Sequence, residues 1–179
     1  ALKGYLATAL PSESAEGLAL FVDKNDAKLV RNPMQVVDAL RAVKVCDPAC
    51  GSGAYLLGML HELLEQYAVI FAQHQKDGQT IYQTKLDIIQ NNLYGVDKDD
   101  FAVNIARLRL WLSLIVDFEG GTPPPLPNLD FKIECGDSLT APDPSGGLQP
   151  DMFRYGQVRD FLALKNEYMD LHEGSEKKK

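Results

Sequence analysis

Cysteine is scarce: the 179 residues hold three, Cys46, Cys50 and Cys135. Three thiols make a poor disulfide framework and suit a reducing cytosol. Long apolar runs are missing too, so no segment reaches the length needed to span a membrane. The first residues lack the basic-then-apolar order of a signal peptide. Positive charge is also short. Against 25 Asp and Glu stand 18 Lys and Arg, a formal net charge of −7. A domain that grips nucleic acid alone carries a basic face; here the one basic run is the terminal "EKKK". Two nucleotide signatures are absent as well. No Gly-Lys-Ser/Thr occurs, which excludes a P-loop. Leu56 stands where a dinucleotide fingerprint needs its third glycine. What remains is one globular domain of ordinary size, 45% hydrophobic and 24% charged.

The pattern along the chain alternates. Residues 1–30 are mixed, with polar "PSESAEG" between two weak apolar stretches. "RNPMQVVDALRA" predicts a helix with Asn32 as N-cap and Pro33 as its first residue. "VKVCD" predicts a short buried strand, and Ala54 to Phe71 a helix packed on a sheet. "AQHQKDGQTIYQ" reads as an outward loop. "LYGVD" predicts a second strand, and Asp99 or Asp100 then caps a helix. Phe101, Ile105, Leu108, Leu112 and Ile115 are spaced as its core stripe. "GGTPPPLP" breaks that helix, "DFKIECGD" predicts a third strand, and "TAPDPSGG" reads as a linker. From Gln149 the pattern is that of an amphipathic helix. The expected divisions are 1–30 as a flank, 31–145 as the binding unit and 146–179 as a helical segment.

Strands alternating with helices imply an α/β fold with a parallel sheet and right-handed crossovers. Ligands of such sheets sit beyond the carboxyl ends of the strands. Each expected strand ends near an aspartate: Asp47, Asp97 and Asp137. After Asp47 comes "PACGSG", in which Gly51 and Gly53 let a ligand approach the main chain. The following helix presents its N–H groups and positive dipole end to a carboxylate or phosphate. Asp97 is placed to accept from ribose hydroxyls, and Asp137 from an adenine amine. Each aspartate alone could be a turn residue, but three in order on three strands favour a ligand. Three carboxylates without a basic clamp favour hydroxyls, an amine and positive charge, and S-adenosylmethionine carries all of these.

"DPACGSGAYLL" resembles the first motif of amino-methylating DNA methyltransferases, and more narrowly the adenine-N6 enzymes of the gamma arrangement. These include type I modification subunits and the methylase halves of bifunctional type II restriction enzymes. "NLYGVDKDDFAVNIARLRLWLSL" resembles their second motif, "FKIECGDSL" their third, and "VRNPMQVVDAL" the motif that precedes the first. The resemblance runs from about Arg31 to Leu139. It implies a Rossmann-like methyltransferase fold, represented by the first strands of its sheet with flanking helices. It also implies S-adenosylmethionine as cofactor. Asp47, Pro48, Ala49, Cys50, Gly51 and Gly53 would hold its methionine part. Asp97 would bind the ribose and Lys98 would lie along the adenine. Asp137 would take the adenine amine, with Ser138 beside it. Asn32 stands where the family has threonine near the cofactor carboxylate.

One departure bears on activity. The family's Asn/Asp/Ser-Pro-Pro-Tyr/Phe tetrapeptide, which holds the flipped base, does not occur in the chain. No catalytic residue is therefore assigned, and the chain is expected to be the cofactor half of a site-specific adenine methyltransferase of a restriction-modification system. DNA contacts would come from protein outside it, in a bacterial or archaeal cytoplasm. The alternatives are a methyltransferase acting on protein glutamine or RNA, and a non-catalytic cofactor-binding or scaffold module. No metal site is expected: Cys46 and Cys50 lack zinc spacing and read as buried, and the three histidines are scattered.

Overall fold

In a computed structural model the described residues are 1–73, 80–121, 129, 131–140, 160 and 163–164. They fall into two compact units, Ala1–Ser138 and Leu139–Lys179. In the second unit, Asp160, Ala163 and Leu164 are helical and exposed. The linker "TAPDPSGG" beyond Thr140, the proline run after Gly121 and most of the amphipathic segment from Gln149 lie outside the described residues.

Among its described residues the first unit is α/β, with six helices and a parallel sheet of three strands in the order β1-β2-β3. Helices α1 (Leu2–Ala9) and α2 (Ala15–Lys24) occupy the stretch in which the sequence shows only weak apolar pattern. Ser14 caps α2 by accepting from the Gly17 N–H at 3.0 Å. Leu6, Leu18 and Phe21 are buried in the same core as the later helices. Helix α3 (Pro33–Ala42) starts with Asn32 as N-cap and Pro33 next, as the sequence predicts. Its last carbonyls are taken by a side chain from elsewhere: the buried Asn92 amide donates to Leu40 O and Val43 O, each at 2.8 Å. That satisfies helix-end acceptors that otherwise need water.

Strand β1 (Val45–Asp47) leads into α4 (Ala54–Gln73). The stretch read as an outward loop contains instead the start of a further helix, α5 (Ile81–Asn91), capped by Thr80 on the Gln83 N–H at 3.2 Å. Its apolar content is low, but Ile88 and Ile89 are buried. Lys85 reaches Asp117 at 2.5 Å, pinning α5 to the end of α6. Strand β2 (Leu93–Asp97) and helix α6 (Asp100–Ile115) follow, Asp99 capping on the Phe101 N–H at 3.0 Å. Strand β3 (Ile133–Cys135) stops two residues short of Asp137.

Residues Val45, Leu93, Gly95 and Ile133 share one sheet face through the parallel register, and all are buried. Helix α4 packs on β1 and β2, and α6 on β2 and β3. The opposite face carries Cys46, Tyr94, Val96 and Glu134; Cys46 is exposed and the others are half-buried. The expectation that Cys46 is buried is therefore corrected, because alternation turns Cys46 to the face opposite the buried Val45. Helix α6 also turns a different side inward than its spacing suggests. Val103, Ala106, Leu110 and Leu114 form its buried face. Of the expected stripe, Phe101 is 73% exposed, Leu108 44% and Leu112 47%, with Ile105 and Ile115 half-buried.

Candidate site at the carboxyl ends of the strands

Parallel register brings the strand ends to one edge. Asp47 lies beside Gly95, and Asp97 beside Cys135. The chain leaves β1 through Asp47, whose Oδ1 accepts from the Ala49 N–H at 3.1 Å. This short loop back suits aspartate at a turn. The Cys50 N–H donates to Val96 O at 2.9 Å, so the turn is fastened to the neighbouring strand. Gly51 then bends at φ +51°, with open space where a Cβ would be. Its N–H donates to Asp97 Oδ2 at 2.7 Å, and Asp97 Oδ1 accepts from the Asp99 N–H at 3.0 Å. The N–H groups of Asp99 and then Gly51 hold the Asp97 carboxyl below its ordinary value. Burial, then the charges of Asp47 and Asp97, push the Cys50 thiol up.

The third strand end is latched to the first. Ser138 Oγ donates to Pro48 O at 2.7 Å, and the Gly136 N–H to Asp97 O at 2.9 Å. Lys98 reaches Asp137 at 3.5 Å across an exposed surface. Hydrogen bonds thus join Gly51, Asp99 and Gly136 to Asp97, and Ser138 to Pro48 beside them in the chain. Asp47 and Asp137 lie next to Pro48 and Ser138 in the chain. Asn32 stands apart, exposed at the start of α3, a helix that packs on α4.

Gly53 has a packing role that its place in the turn does not reveal. It is buried with φ +80°, and a Cβ there would lie 2.9 Å from Ala106 Cβ and 3.2 Å from Ala106 Cα. It lets α6 close on the turn, while Gly51 faces open space. Two other contributors leave no mark in the sequence. Arg109 Nη1 on α6 donates to Ser52 O at 2.9 Å, steadying the turn from the helix side. Glu13 accepts from the main chain just before α3. Arg109 lies within the second motif and Glu13 in no motif, and neither bond follows a spacing rule, since each partner is far away in the chain.

The edge offers carboxylate acceptors and an open glycine turn. It suits a polar ligand with hydroxyl and amine donors. Among the described residues no group of three or more His, Cys, Asp or Glu is placed to hold a metal.

The family model of the MmeI DNA-methyltransferase domain matches residues 23–119. That of the Eco57I restriction-modification methylase matches residues 91–178. A Methanocaldococcus jannaschii protein named as a type II restriction enzyme and methyltransferase is 37% identical over 162 residues, 86% of this chain and 14% of that protein. The adenine-specific methyltransferase PglX of Streptomyces coelicolor is 27% identical over 145 residues, 80% of this chain and 11% of that one. The adenine-specific methyltransferase BrxX of Escherichia coli is 37% identical over 65 residues, 36% of this chain and 5% of that one. The chain therefore spans 14% or less of the length of these relatives. No solved structure matches. The MmeI match covers more than half of the 179 residues and runs from the end of α2 past the end of α6, and the chain belongs to the MmeI DNA-methyltransferase domain family.

Proposed function

We propose that the chain is the cofactor half of an adenine-N6 DNA methyltransferase of a restriction-modification system, with S-adenosylmethionine as methyl donor. Its three strands are then the first part of a Rossmann-like methyltransferase sheet. The observation that carries the reading is the Asp97 carboxylate. An ionised carboxylate has about four lone-pair sites. The Gly51 and Asp99 N–H groups occupy two of them, each on a different oxygen. The Lys98 N–H also favours the ionised form, and the acceptor capacity that remains suits the hydroxyls of a vicinal ribose diol.

The other residues fit the same ligand. Gly51 leaves room for the methionine arm beside Asp47, Pro48, Ala49 and Cys50. Asp137, one-third exposed, accepts the adenine amine, and Lys98 lies along the ring. Ser138 is committed to Pro48, so its part is to hold the third strand end against the turn. Asn32 faces the amino-acid end. The bound cofactor supplies an electrophilic methyl group. The chain's own residues orient it for in-line attack by the target amine, which needs positioning and no covalent intermediate. The base-holding tetrapeptide would come from protein outside this chain, as would most contacts to DNA in the cytoplasm.

Calorimetric titration tests this. The chain is expected to bind S-adenosylmethionine and to bind adenosine more weakly. Equal affinity for the two would remove the methionine subsite, and no binding of either would overturn the proposal.

A further inference from the structure

Glu13 lies between α1 and α2, in the flank to which the sequence assigns no motif, yet only 8% of it is exposed. A carboxylate buried that far must be fully engaged. Among the described residues no cation pairs with it. Its two oxygens accept instead from consecutive main-chain N–H groups: Oε2 from Arg31 at 3.0 Å and Oε1 from Asn32 at 2.8 Å. These two residues lead directly into α3.

Asn32 is the N-cap of α3, but its side chain makes no bond to the helix it caps. Asparagine in that place ordinarily gives its oxygen to an N–H of the first turn. Here the backbone sits at φ −124° and ψ 78°, below the extended range usual for a cap. The Glu13 clamp holds the main chain of Asn32 in this conformation. The carboxamide, one donor group and one acceptor, makes no bond to its own helix and is exposed.

We propose that Glu13 is a positioning residue: it fixes the main chain of Asn32 so that the carboxamide serves the amino-acid arm of the methyl donor instead of its own helix. The role rests on the methyl-donor reading above. It makes the N-terminal flank part of the cofactor site without touching the cofactor.

The test compares two ligands on the full chain. S-adenosylmethionine carries the amino-acid arm; 5′-methylthioadenosine keeps the adenosine and lacks it. Glu13→Ala is expected to weaken S-adenosylmethionine about ten-fold and to leave 5′-methylthioadenosine within about two-fold. Glu13→Gln keeps one acceptor and turns an N–H against the other amide. It is expected to show the same selective loss with a smaller fall in Tm, which covers failure of the alanine variant to fold. Asn32→Ala added to Glu13→Gln is expected to cost nothing further, because the two act as one unit. Equal losses for both ligands would make Glu13 merely structural and overturn the role, as would unchanged S-adenosylmethionine affinity in a folded Glu13→Gln. A wild-type chain that binds neither ligand would overturn the methyl-donor reading itself, a different result from either.

Discussion

Asp97 carries two main-chain N–H groups on one carboxylate, and its titration follows from that. Its folded value lies below the unfolded one, so its stabilisation is present above the unfolded value and is lost as pH falls through the folded value. Carbon-detected NMR should show the Asp97 carboxyl titrating below 3.8, with the Gly51 amide shift moving in step. An Asp97 midpoint above that value would mean the clamp is absent in solution. The two turn glycines should also separate. Gly53→Ala meets both the positive φ and the Ala106 backbone, and should cost about 2 kcal/mol or more. Gly51→Ala meets only the φ, and should cost about 1 kcal/mol. Thermal melts of the two variants check the order. Asp47, Asp97 and Asp137 were visible in the sequence because each ends a short apolar run. The commitments of Glu13, Arg109 and Ser138 were not, because a hydrogen bond across 18, 57 or 90 positions leaves no periodic trace.

At the scale of elements, α6 shows what periodicity decides and what it leaves open. The helix is apolar on more than one side, so two stripes compete for the core. The buried one contains Ala106, small enough to admit the glycine turn, and the exposed one contains Phe101, which is not. Close approach outweighs apolar bulk here. Leu110, with 0% exposed, should cost about 2–5 kcal/mol when cut to alanine. Leu108→Ala on the other stripe should stay within about 1 kcal/mol. Chemical denaturation of both variants decides the matter, and a larger loss at Leu108 would mean that α6 is rotated in solution. Helix α5 was hidden for the opposite reason. Its sequence is polar enough to read as loop, and only burial of Ile88 and Ile89 with the Lys85–Asp117 pair reveals what holds it.

At the scale of the molecule, a parallel sheet ordinarily has both faces covered, and in this one Cys46 is exposed. Alkylation should therefore mark Cys46 and the exposed Cys135 quickly, and the buried Cys50, its thiol pushed up, slowly. Mass spectrometry of the labelled peptides checks this. Residues 1–179 supplied with tritiated S-adenosylmethionine should transfer nothing to duplex DNA, since the chain holds no base-gripping tetrapeptide and its net charge of −7 repels the backbone. Sequence-specific transfer by the chain alone would place the catalytic residues within this chain. The fold class was legible because strands and helices alternate in the sequence; the exposure of Cys46 was not, because strands this short carry too few residues to show which face each side chain takes. The spatial order β1-β2-β3 is also the order in which the strands are synthesised. As the chain leaves the ribosome, at about 5–20 residues per second, each strand meets an edge already in place. Among these three strands none has to insert between two earlier ones, so this part of the sheet can grow in the direction of translation.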